Sequence, residues 1–204
     1  MRGCESKSNT AIGFLTVVEH TEYGLFGGYL ILNLAGRPVE FHCTTPLKPN
    51  RAQKILYGPT LNDFLYGELI GRTLIEHGRI CPFVVCTDLE PILAAQPYVS
   101  TPLVLVLDDA MQHSTNPTQA APAGVVNDEE FTETKVYRLD AAHRSGPQLV
   151  GFQFGRNRLA APVAAEAERR ALLERFSDWA ETFDLVEPFQ RIRAAIEEAR
   201  QAAQ

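Results

Sequence analysis

Between Ile12 and Thr44, three runs rich in β-branched and apolar residues follow one another, joined by connections too short to hold a helix. Such spacing commits this end of the chain to an antiparallel strand set. The first run spans residues 12 to 19, and His20-Thr21-Glu22-Tyr23-Gly24 reads as its turn. The second runs from Gly28 to Asn33 and the third from Val39 to Thr44. Between them Gly36 is free to take a positive φ and close a hairpin. In the third run the two-residue period puts Val39, Phe41 and Cys43 on one side and Glu40, His42 and Thr44 on the other. The apolar set is expected to face the core and the polar set the solvent.

Pro46 and Pro49 end the strand pattern, and Asn50 to Tyr57 reads as a short helix stopped at Gly58-Pro59. A longer helix follows as far as Gly78. Thr60 is its expected cap, Asp63 supplies a first-turn carboxylate, and Leu61, Leu65, Leu69 and Ile70 lie near one face. Phe83 to Cys86 and Leu103 to Leu107 read as short buried strands joined through a brief helix at Leu89 to Gln96, an order that suggests a right-handed parallel crossover. Residues 110 to 130 form an Ala/Pro-rich linker, expected to be flexible. Strands at Phe131 to Leu139 and Gln148 to Phe154 are expected to pair around Ser145-Gly146-Pro147. Leu172, Phe176, Trp179 and Phe183, then Phe189, Ile192, Ile196 and Ala199, recur at helical spacing. The expected class is therefore α+β: a mixed β-sheet with an N-terminal antiparallel strand set, a strand-helix-strand segment, a later hairpin and two C-terminal helices. Residues 1 to 11 are a flexible leader and 12 to 204 a single domain.

Composition narrows the function classes. Hydrophobic residues make up 45% of the 204 and charged residues 22%, which is globular rather than disordered. A net charge of −6 argues against general nucleic-acid binding, because neutralising many phosphates takes an excess of Lys and Arg. The chain carries no apolar run of the roughly 18 to 20 residues that cross a bilayer, and its start lacks the apolar stretch of a secretory signal. A soluble cytoplasmic protein without membrane contact is expected, with Cys4, Cys43, Cys81 and Cys86 as free thiols.

Up to Asp109 the element order is three consecutive strands, helix, strand, short helix, strand. That order resembles the ribonuclease H-like core, in which acids at strand ends and on the first helix gather metal ions for phosphodiester hydrolysis. The resemblance covers about half the chain and implies Glu68 on the helix, Asp88 after the fourth strand and Asp108 or Asp109 after the fifth. That family also places an aspartate within its first strand, where this chain has only Glu19 at the end. Two-metal chemistry needs converging carboxylates because hard Mg²⁺ ions about 4 Å apart share oxygen ligands. The competing reading of the same acids is ordinary: Asp88 caps a helix and the others are solvated.

Zinc is not expected. His42 and Cys43 are adjacent on a strand and point to opposite faces, and buried cysteines such as Cys86 are commonly small core hydrophobes. Neither a Gly-rich phosphate loop nor a nucleophile signature occurs. The most basic stretch is Lys48, Asn50, Arg51, Gln53 and Lys54, and with Glu40, His42 and Tyr57 it makes the best candidate for an anionic ligand.

Two readings follow. The first is a soluble binding or scaffold protein, without a cofactor or bound metal, that meets an unknown protein or a small anionic ligand through Glu40, His42, Lys48 and Arg51, and self-associates through its C-terminal helices. The alternative is a metal-dependent phosphodiester hydrolase with a ribonuclease H-like core, using Mg²⁺ on Glu68, Asp88 and Asp109. Converging acids mark the hydrolase. An exposed apolar face on the last helix marks the scaffold.

Overall fold

The computed structural model describes residues 11 to 107 and 148 to 202. A seven-stranded mixed sheet runs in the order β3-β2-β1-β4-β5-β7-β6. β1 (Ala11–His20) and β2 (Gly24–Asn33) pair antiparallel along their whole length, and β3 (Pro38–Cys43) continues the meander to one edge. The connections turn on Gly24 (φ 98) and Gly36 (φ 72), both in the left-handed region that glycine enters without penalty. β4 (Val85–Thr87) lies parallel to β1, and β5 (Leu103–Leu107) lies parallel to β4. The strand-helix-strand crossover is present, and its connecting element is a 3₁₀ stretch, Glu90–Tyr98.

The later hairpin differs from the expected one. β6 (Leu149–Phe154) pairs with β7 (Asn157–Pro162) around Gly155 (φ 56), and β7 closes antiparallel on β5. The expected partner strand, 131 to 139, and the linker at 110 to 130 lie outside the described residues. Arg156, Asn157 and Arg158 hid β7 from a hydropathy pattern; the signal was Gly155.

Helical layers cover both faces of the sheet. On one, α3 (Glu166–Thr182) and α4 (Glu187–Ala202) bury Leu172, Phe176, Phe189, Ile192 and Ile196 against Phe14, Leu30 and Val104. On the other, a π-helical stretch (Asp63–Gly71), α2 (Arg72–His77) and the 3₁₀ stretch bury Leu65, Ile70, Leu74 and Ile92 against Leu15, Tyr29 and Ile31. Two neighbouring glycines on β2 let both layers approach the strand. A Cβ on Gly27 would lie 2.2 Å from Ile70 Cγ2, and one on Gly28 would lie 2.2 Å from Ile192 Cγ2. α1 (Arg51–Tyr57) begins as expected, with a reciprocal Asn50–Gln53 capping box, and buries none of its residues. Thr60 does not cap the next helix; its hydroxyl donates back to the Tyr57 carbonyl at 2.9 Å.

Two further expectations change. Val39 and Phe41 are the exposed side of β3, at 49% and 39%, whereas the Glu40 and His42 side chains retain only 11% and 29% exposure. Alternation separates two faces but does not say which one a neighbouring layer covers. Cys43 and Cys86 are free, but Cys81 is disulfide-bonded, so thiol state no longer speaks for a reducing compartment. Among the described residues no helix is long and apolar enough to cross a membrane.

Asn157 ties β7 to the α3–α4 connection. Its buried amide donates to the Phe183 carbonyl at 2.8 Å and accepts from the Leu185 N–H at 3.0 Å. Asn157→Leu strands both backbone groups in the core and is expected to cost about 2 to 4 kcal/mol. A urea unfolding midpoint unchanged from wild type would show that nothing was stranded.

Candidate functional site

β1 and β4 lie side by side and parallel, pairing Phe14 with Cys86 and Leu15 with Thr87. One residue further along each chain stand Thr16 and Asp88. Strand alternation turns them to the face of Phe14 and Cys86, beneath α4. Thr16 is fully buried, and among the described residues its hydroxyl oxygen has no hydrogen-bond partner. Asp88 offers two unlike oxygens. Oδ2 is held by the Arg193 guanidinium reaching down from α4, while Oδ1 is buried and has no partner among the described residues. A buried oxygen without a partner costs about 1 to 3 kcal/mol, so two at neighbouring positions mark a place suited to a donor or a cation.

Of the other sequence-derived acids, Glu68 does not join Asp88. Glu68 rides on the π-helical stretch, which covers the opposite face of the sheet. Its charge helps to raise the pKa of Arg72, behind the larger effect of the Arg72–Glu76 hydrogen bond. Asp108 and Asp109 lie outside the described residues. Among the described residues no three His, Cys, Asp or Glu side chains come together as a metal site. Thr16 was missed because a threonine in an apolar strand reads as β propensity. Arg193 was missed because nothing in the sequence couples it to an acid 105 residues away.

The second sequence-derived set divides. Glu40 Oε1 lies 2.6 Å from His42 Nε2, and the Glu40 carboxylate also accepts from the backbone N–H groups of Arg79 (2.9 and 3.2 Å) and Ile80 (3.0 Å). Burial alone would raise the Glu40 carboxyl. The Arg79 amide, the His42 ring and the Ile80 amide together outweigh it, so its pKa lies below the ordinary value. His42 lines a cavity of about 390 Å³ between the end of β3 and the helical layer. Lys48 and Arg51 stand exposed and do not line it.

A depressed carboxyl stabilises the fold above its unfolded pKa, and that contribution is lost as pH falls through the folded one. Glu40→Gln is therefore expected to lower Tm at pH 7 and to flatten the fall in Tm below about pH 4.3, the unfolded glutamate value. Parallel Tm-against-pH curves for the two proteins would show that Glu40 carries no such linkage.

The apolar face of α4, with Phe189, Ile192 and Ile196, is buried in the chain's own core. Trp179 of α3 donates its indole N–H to the Leu34 carbonyl at 2.9 Å, and Arg191 of α4 donates to the Gly36 carbonyl at 2.9 Å. The surface expected to serve a scaffold or an oligomer is thus spent on the fold.

No protein-family model and no curated protein matches the chain. Among solved structures it superposes on human ENDOV with a TM-score of 0.46 and 14% identity, covering 96% of this chain and 87% of that one. It also superposes on the catalytic domain of human Endonuclease V in a cysteine-substituted form, with a TM-score of 0.43 and 11% identity, covering 98% and 87%. The second is an endonuclease by name, and the expectation that general nucleic-acid binding is unlikely is withdrawn. The −6 charge behind it is a whole-chain sum that does not describe the field at one strand edge.

Proposed function

We propose that this chain is a metal-dependent phosphodiester hydrolase acting on nucleic acid, with its reactive edge where β4 ends beside the middle of β1. The observation that carries the reading is the pair of buried oxygens without a partner among the described residues, Asp88 Oδ1 and Thr16 Oγ1, each one residue beyond the last β1–β4 pair. The ribonuclease H-like order of elements supports it, since the edge beyond the strand ends is where that core gathers its acids.

The donors suit a hard divalent cation. Mg²⁺ is commonly held by one or two carboxylates and keeps several of its waters, so Asp88, with the Thr16 hydroxyl beside it, is an adequate anchor. Asp109, two residues beyond the end of β5 in sequence, is the second acid of the proposal; Glu68 has no part in it. When bound, such an ion lowers the pKa of a water and offsets charge on the phosphate. The chain's own contribution is orientation. Arg193, with 45% of its side chain exposed, presents a planar guanidinium at the mouth of the site. That fork is suited to holding two phosphate oxygens once it leaves Asp88.

The test is incubation of the purified chain with end-labelled single-stranded and duplex DNA and RNA, in Mg²⁺ or Mn²⁺ and in EDTA. Strand cleavage that EDTA abolishes supports the reading. Intact substrates with both ions overturn it.

A further inference from the structure

The cavity beside His42 lies on the face of the sheet opposite α4, and its occupant is independent of the hydrolase reading. Its volume of about 390 Å³ falls in the range of small-molecule sites, and Leu69, Ile70 and Leu74 give it an apolar floor. Imidazoles from two separate elements line it, His42 at the end of β3 and His77 at the end of α2.

Each ring is tied through one nitrogen to a group that can only accept. His42 Nε2 faces the Glu40 carboxylate at 2.6 Å, and that carboxylate is kept ionised by two backbone amides as well. His77 Nδ1 faces the Thr73 carbonyl at 2.8 Å. A neutral ring in either place would carry its hydrogen on the tied nitrogen, His42 Nε2 or His77 Nδ1, and keep a lone pair on His42 Nδ1 or His77 Nε2. Rings fixed this way often ligate metals, but among the described residues no third side chain completes a metal-holding group. What remains is an apolar floor, a rim that includes Thr44, Thr45 and Thr73, and the two imidazoles with their acceptor nitrogens.

We propose that this cavity binds a small neutral organic molecule with an apolar body and N–H or O–H donors, an amide or an alcohol, held between His42 Nδ1 and His77 Nε2. A carboxylate ligand would set acceptor against acceptor beside the ionised Glu40. A bare hydrocarbon would leave both nitrogens unmatched.

Benzamide is the probe, with benzoate and toluene as its mismatched counterparts. Long-range proton–nitrogen correlation spectra of the full, nitrogen-labelled chain report each imidazole nitrogen separately. Without a ligand, His42 is expected as the Nε2–H tautomer and His77 as the Nδ1–H tautomer. Millimolar benzamide should then shift His42 Nδ1 and His77 Nε2 together. Toluene should bind about fivefold or more weaker, the worth of one net hydrogen bond, and benzoate should shift neither nitrogen. His77→Phe keeps an aromatic ring at an exposed position and should weaken benzamide about fivefold. The opposite tautomers, shifts with benzoate equal to those with benzamide, or no shift with benzamide would each overturn the proposal.

Discussion

Asp88→Asn is expected to reduce metal-dependent strand cleavage by about a thousandfold or more while the protein stays folded. The substitution removes the charge that anchors the cation and keeps the shape of the side chain. Its structural cost is small. The ion pair it breaks has Arg193 at 45% exposure and Asp88 at 17%, and so belongs with partly solvated pairs worth about 0 to 1 kcal/mol. Among the described residues Oδ1 has no hydrogen bond to lose. Loss of cleavage with a Tm within a few degrees of wild type places Asp88 at the ion. Wild-type cleavage by the variant would remove it from the mechanism. Arg193→Gln separates the roles further: it should raise KM more than it lowers kcat if Arg193 holds the phosphate, because it leaves the cation ligand in place.

The largest expected loss of stability comes from Gly155→Val. Gly155 has a φ of +56, and a Cβ there would stand 2.3 Å from the Ala180 carbonyl carbon and 2.6 Å from the Glu181 nitrogen. Backbone cannot swing aside as a side chain can. A β-branched residue at positive φ adds strain of about 1 to 3 kcal/mol, and overpacking against α3 adds a similar amount. A loss of about 4 kcal/mol is expected, read as a fall in the urea midpoint and a drop in Tm. Gly155→Ala should fall in between. A Val variant as stable as wild type would mean that the β6–β7 turn and α3 are not held against each other.

How much of this was legible in the sequence depended on the range of each interaction. The β2–β3 hairpin was readable because Gly36 and the alternation around it are local. The parallel pair β4–β5 was readable because two short apolar runs flank a connection too long for a hairpin. The identity of the core face of β3 was not. Val39 and Phe41 are more apolar than Glu40 and His42, yet the helical layer covers the polar side, where the amides of Arg79 and Ile80 meet the Glu40 charge. The site divided along the same line. Asp88 was legible as an acid at a strand end, while its meaning depends on Thr16, which reads as an ordinary strand residue, and on Arg193, which reads as an ordinary solvated helix residue. His77 gave no local sign at all; only the fold sets it across a cavity from His42.

Gly27 and Gly28 thin the sheet at two adjacent rungs, with Ile70 lying on one side of the β2 backbone and Ile192 and Ile196 on the other. A methyl group added at Gly27 presses on the wall of the His42 cavity. The same methyl group one residue later presses on the helix that carries Arg193. Two chemically identical changes at adjacent codons thus reach opposite sides of the molecule, a built-in pair of controls for telling events at the strand edge from events in the cavity.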